Sequence, residues 1–93
     1  MVNGKKILIV GLANKYSIAA AIATSLHEHG AIVGYSYQNE RFEKFISEFS
    51  SNNGGGPTFK CDLSSDQEIK DLVNFFAEEW GEIDGIVHSV GFA

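Results

Sequence analysis

Four short runs of β-branched and aliphatic residues recur along this chain, separated by segments whose apolar residues return at helical spacing. That alternation constrains the fold more than any other feature, because strand–helix–strand repeats imply a parallel sheet with right-handed crossovers. The first run, Ile7-Leu8-Ile9-Val10, is closed by Gly11. It is too short for a helix and apolar at successive positions, as in a strand buried on both faces. From Ser17 the period changes: Ile18, Ile22 and Leu26 recur every four residues beside Ala19 and Ala23, and Gly30 closes the segment. This predicts a helix that lays that stripe on the sheet. Ile32–Tyr37 reads as the second strand. Phe42, Phe45, Ile46 and Phe49, at i, i+3, i+4 and i+7, predict a helix from about Asn39 to Ser50.

The polar stretch from Ser50 to Pro57 is a loop by composition, and Thr58-Phe59-Lys60-Cys61 is a short third strand. Ser64 or Ser65 can cap a third helix, with Asp66 and Glu68 near its positive end. Ile69, Leu72, Val73, Phe76, Ala77 and Trp80 mark its expected buried face, Gly81 stops it, and Asp84–Ser89 supplies a fourth strand. The order β-α-β-α-β-α-β therefore gives an α/β fold class, read as the first half of a Rossmann-like doubly wound parallel sheet, in which the strands would lie in the order 3-2-1-4. Residues 1–93 are expected to form the N-terminal half of a single dinucleotide-binding domain, with the remainder outside this chain. Strands 1 and 4 then flank the topological switch point, where ligands bind at the strands' carboxyl ends.

Composition narrows the partners. Seven Lys and Arg against twelve Asp and Glu leave a formal charge of −5, which disfavours a nucleic-acid polyanion. No run approaches the roughly 18 apolar residues of a membrane span. The apolar run before Gly11 is also too short for a signal-peptide core. The single cysteine, Cys61, permits no internal disulfide. Together these point to a cytoplasmic protein with no nucleic-acid or membrane partner.

Four positions fall on the expected ligand rim. After strand 1, Gly11 allows a tight turn, Ser17 offers a hydroxyl, and Ile18 offers a backbone N–H at a helix start, a combination suited to a pyrophosphate. The loop lacks the G-x-G-x-x-G spacing, and a turn glycine followed by a helix cap accounts for it equally well. After strand 2, Gln38 is neutral where an acidic residue would hold the ribose of NAD and a basic one the 2′-phosphate of NADP. Arg41 could attract such a phosphate, but Glu40 and Glu43 flank it. After strand 3, the Asp62 carboxylate and the next backbone N–H match the adenine edge, with Leu63 covering the ring. After strand 4, Gly91 permits close approach of backbone to a ligand.

The residues that carry these positions, Gly11-x5-Ser17-Ile18-Ala19, Tyr37-Gln38-Asn39, Cys61-Asp62-Leu63 and His88-Ser89-Val90-Gly91-Phe92-Ala93, resemble the bacterial NADH-dependent enoyl-acyl-carrier-protein reductases. These form a divergent branch of the short-chain dehydrogenases/reductases, acting in type II fatty acid synthesis. The resemblance implies that Gly11, Ser17 and Ile18 hold the cofactor's phosphate and ribose region. It puts Gln38 at the adenosine ribose, Asp62 and Leu63 at the adenine, and Val90 with Gly91 at the nicotinamide-side ribose. Ala93 and Phe92 would touch the acyl substrate, an enoyl group carried by acyl carrier protein. It further implies NADH/NAD as cofactor and a homotetramer for the full-length protein. The implied reaction moves a hydride to the β-carbon of a 2-enoyl thioester, assisted by a Tyr-x6-Lys pair.

The one such match here is Tyr37 with Lys44. It falls at the adenosine end, so the functional pair is expected beyond residue 93 and the chain carries no catalytic residue. Another short-chain dehydrogenase/reductase, or a non-catalytic nucleotide-binding module, are the alternatives. Gly54-Gly55-Gly56 follows a helix and precedes a strand, the reverse of a phosphate loop. His27 and His29 point apart on a helix, so no metal site is expected. Cys61, Asp62 and His88 could meet near the rim as a nucleophile set, but a buried cysteine is the simpler reading.

Overall fold

The computed structural model describes residues 1–89. The strands β1 (Lys6–Val10), β2 (Ile32–Tyr37), β3 (Thr58–Lys60) and β4 (Gly85–His88) form a parallel sheet in the order β3-β2-β1-β4, the order expected of a Rossmann-like doubly wound sheet. Register pairs Val10 with Ser36 on one side and with His88 on the other, so three strand ends finish level at one rim. The helices α1 (Ile18–Glu28), α2 (Glu43–Asn52) and α3 (Asp66–Trp80) complete the crossovers.

The two-residue period of β1 explains why its run is apolar throughout. Ile9 faces a core with Ala19, Ala20, Ala23, Val33, Tyr35 and Ile46, contributed by α1, β2 and α2. Leu8 and Val10 face the opposite core, with Cys61, Leu72, Phe76 and Trp80. Along β2, Val33 and Tyr35 join the first core, whereas Gly34 lies under α3. A Cβ on Gly34 would stand 2.5 Å from Phe76 and 2.8 Å from Trp80, so these two rings pack where a side chain would otherwise be. Lys6 closes the far end of α3, its Nζ donating to the Trp80 carbonyl at 2.8 Å and satisfying one of the carbonyls a helix end leaves unpaired.

Several expectations are corrected. On α1, Ala19 and Ala23 are buried as the small residues of the expected stripe, with Ala20 beside them, but Ile18 is 80% exposed and Ile22 37%. A four-residue repeat drifts by about 40° per step around a 3.6-residue helix, so Leu26 turns toward the core while Ile18 does not. The alanines take the contact because they let the helix axis approach the sheet. On α3 the buried face is Leu72, Phe76 and Trp80; Val73, 53% exposed, and Ala77 lie outside it. The second helix does not begin at Asn39. Asn39 caps a 3-10 turn, Glu40–Phe42, and α2 follows it through Asn52. Ser65, rather than Ser64, caps α3, with its Oγ accepting from the Glu68 N–H at 3.2 Å. β3 ends at Lys60, although the Cys61 N–H still bonds the Tyr37 carbonyl at 2.8 Å.

Candidate functional site

The loop after β1 is held from both neighbouring strands. Gly11 has φ +78°, and its N–H donates to the Ser36 carbonyl at 3.1 Å and faces the Ser36 hydroxyl at 3.3 Å. On its other side a Cβ would stand 2.8 Å from the Ser89 carbonyl oxygen. Both the backbone sign and the close approach call for glycine here. The loop then turns on Asn14, whose Oδ1 accepts from the Tyr16 N–H at 2.9 Å, and enters α1 through Ser17.

Ser17 is the helix cap, extended at φ −72°, ψ 161°. Its hydroxyl accepts from the Ala20 N–H at 3.1 Å and donates to the Asn14 carbonyl at 3.2 Å. The Ala21 N–H takes the Ser17 carbonyl. This leaves the Ile18 and Ala19 N–H groups as the first-turn donors pointing out of the helix end. The hydroxyl expected to meet a phosphate has its proton engaged within the loop, so anion-binding capacity rests first on backbone N–H and the helix dipole. A cleft of about 280 Å³ opens there, between the Ser17–Ile22 turn and Val87–Ser89.

The adenosine end is built from β2 and β3. Gln38 and Asp62, assigned to separate tasks by the sequence, are bonded to each other: Gln38 Nε2 donates to Asp62 Oδ1 at 2.7 Å. The same oxygen accepts from the Ser64 N–H at 2.9 Å and the Ser64 hydroxyl at 2.7 Å. Those Ser64 bonds, and then the one from Gln38, hold the Asp62 carboxyl below the usual carboxylate range, so it is an acceptor only. The Leu63 N–H faces Gln38 Oε1 at 3.5 Å, the outer limit of a hydrogen bond. Gly11, Gln38, Arg41, Leu63 and His88 line a cleft of about 310 Å³ between these strand ends. Its cation, Arg41, lies 4.8 Å over the Phe42 ring. Among the described residues the one ion pair is Lys60 with Glu68.

The structure thus gathers Gly11, Ser17, Ile18, Gln38, Asp62 and Leu63 along one rim. Val90, Gly91, Phe92 and Ala93 lie outside the described residues. Cys61 is 1% exposed and packs beneath α3, and burial, with Glu68 next, pushes its thiol pKa up. A thiol buried and held neutral in this way does not join Asp62 and His88 as a nucleophile. The triple glycine lies at the opposite end of the sheet, where Gly56 rests on the Val33 carbonyl. No group of three or more His, Cys, Asp or Glu among the described residues could hold a metal ion, and no helix there is long and apolar enough to cross a membrane.

The sequence reading missed Ser36, Ser64 and His88. Ser36 carried a signal, a polar residue in a strand otherwise buried on both faces. Ser64 reads from the sequence as a helix cap, and His88 as part of a resemblance motif and of a nucleophile set, neither with a binding role.

Comparison with known proteins agrees with this architecture. The family model described as enoyl-(acyl carrier protein) reductase matches residues 11–93. An NADH enoyl-(acyl-carrier-protein) reductase of Aquifex aeolicus is 42% identical over 93 residues, covering all of this chain and 34% of that protein. The Escherichia coli enzyme of the same name is 37% identical over 91 residues, 98% of this chain and 35% of that protein. The crystal structure of the Aquifex aeolicus reductase superimposes with a TM-score of 0.93 over 99% of this chain and 36% of its own. That of the Anaplasma phagocytophilum reductase in complex with NAD gives 0.91 at 36% identity, over 99% of this chain and 35% of its own. The chain spans about a third of the length of these relatives. With the family match extending from the glycine of the first turn through the last strand, this chain belongs to the enoyl-(acyl carrier protein) reductase family.

Proposed function

We propose that this chain is the cofactor-binding segment of an enoyl-acyl-carrier-protein reductase, which transfers a hydride from NADH to a 2-enoyl thioester in fatty acid synthesis. The observation that carries the reading is the rim itself. Two first-turn N–H donors, an ionised Asp62 with an adjacent N–H, and two clefts lie at the carboxyl ends of neighbouring parallel strands. The relatives named for NADH, and the one crystallised with NAD, support the choice of cofactor.

In this reading Ile18 and Ala19 N–H, with Gly11 clearing the approach, cradle the pyrophosphate. Asp62 and the Leu63 N–H take the adenine edge, and Val90 and Gly91 meet the nicotinamide-side ribose. Phe92 and Ala93 begin the wall of the acyl site. Gln38 adds no positive charge at the ribose, which favours NADH over NADPH. The nicotinamide supplies the hydride when bound; the chain's own residues bind and orient it. The proton-transferring Tyr and Lys belong to the part of the protein beyond this segment, as does homotetramer assembly. A buried free thiol and a pyridine-nucleotide reaction suit a cytoplasmic protein.

Hydrogen exchange on the complete gene product tests this. Saturating NADH should slow exchange in segments 11–18, 38 and 62–63. Unchanged protection at all three would refute the assignment.

A further inference from the structure

Resting on the nucleotide-binding reading, we infer that Gln38 is a positioning residue for base selection: it orients Asp62 toward the adenine edge instead of holding the ribose itself. The motive is the division of labour at the Asp62 carboxylate. Oδ1 is filled by three donors, from Gln38 Nε2, the Ser64 N–H and the Ser64 hydroxyl. No partner among the described residues occupies Oδ2. Gln38 supplies the donor from the β2 side and Ser64 those from the β3 side, so the carboxylate is pinned between two strand ends with one oxygen left to present. The other end of the Gln38 amide faces the Leu63 N–H at 3.5 Å, too long to compete strongly with an incoming acceptor. One side chain thereby aligns both halves of an acceptor–donor pair.

The chemistry that such a pair recognises is a base edge with a donor beside an acceptor. Adenine offers its amino group and N1. Hypoxanthine inverts both, with a carbonyl at position 6 and a hydrogen on N1, so it would set lone pairs against Asp62 and two N–H groups against each other. An unpaired polar edge at such a site costs more than the hydrogen bond gained. Because Asp62 stays ionised, it cannot adapt by donating.

The complete gene product, as wild type and variants, is titrated with NADH and with reduced nicotinamide hypoxanthine dinucleotide, reading Kd for each. The wild type should prefer NADH by at least about tenfold. Gln38→Met keeps the length but loses the donor. It should weaken NADH by about tenfold while shrinking the preference to within about threefold. Gln38→Glu separates the two roles. A residue that holds the ribose directly would tolerate or profit from a carboxylate. A residue that donates to Asp62 would instead set two carboxylates together and lose NADH affinity.

Gln38→Glu binding NADH as well as the wild type, or Gln38→Met weakening both dinucleotides by one common factor, would overturn the inference. Should either single variant fail to unfold cooperatively, the other reads the same ratio. A wild type that binds neither dinucleotide refutes the cofactor-binding reading instead.

Discussion

Replacing Gly11 by alanine in the complete gene product separates two costs that the structure attributes to one position. The first is conformational. At φ +78° an L-residue pays about 1–2 kcal/mol relative to glycine. The second is contact, because the new methyl would stand 2.8 Å from the Ser89 carbonyl oxygen. That oxygen belongs to backbone whose own N–H is bonded to the Val10 carbonyl at 2.8 Å, so it cannot retreat without opening the end of the β1–β4 ladder. Overpacking of this kind costs about 1–3 kcal/mol, for a sum of about 2–5 kcal/mol.

Gly81 provides the control. It shares φ +78°, and nothing stands within 4 Å of its would-be Cβ, so its alanine variant should show the conformational cost alone. Thermal unfolding reads the difference at about 2–4 °C per kcal/mol for a protein of 150–250 residues. Because the methyl would push β4 away from the rim, NADH Kd should rise for Gly11→Ala and stay level for Gly81→Ala. Equal losses of stability with unchanged NADH binding in both would refute the close-approach argument.

Gly34→Ala should destabilise by about 1–3 kcal/mol through Phe76 and Trp80, and adding Phe76→Leu should recover part of it; chemical denaturation measures both. Burial raises the Cys61 pKa, so the neutral thiol's contribution to stability is complete below its unfolded value and is lost as pH rises through the higher folded one. Alkylation should therefore be slow at pH 8 unless urea is added, and rapid native labelling would contradict the burial. For Asp62 the folded pKa is lowered, so its contribution is present above the unfolded value of about 3.9 and is lost as pH falls through the folded one. Acid loss of NADH affinity with a midpoint near pH 6 would then have to come from another group. The 93-residue chain alone should bind a hydrophobic dye or aggregate, and should not reduce an enoyl thioester. Ile18, Ile22 and Ile86 stand exposed around β4, an edge strand paired with β1 alone among the described residues. A sharp, reversible calorimetric transition for that chain would refute this.

The alternation of runs was enough to derive a parallel sheet with right-handed crossovers, because chain chirality leaves few other arrangements, and taking it as Rossmann-like supplied the order 3-2-1-4. The rim followed directly: residues after Val10, Tyr37 and Cys61 had to emerge at one end. The N-cap of α1 was equally legible, since a serine before an apolar repeat acts through its nearest backbone neighbours. Helix faces were less so. Ile18 and Val73 look interior by spacing and lie outside it by rotation, which depends on how closely alanines and Gly34 let the helices settle.

What only the tertiary structure decided is how the site residues are used. Gln38 and Asp62 are twenty-four residues apart, and no local pattern says that β2 and β3 bring them to 2.7 Å. Nor does composition reveal that the Ser17 proton is engaged by Asn14, or that Ser89 closes over Gly11. Local periodicity determines which elements form and in what order they pair, because those preferences act within a few residues. Hydrogen-bond partners between strand ends are settled by register and twist, which exist only once the sheet has assembled.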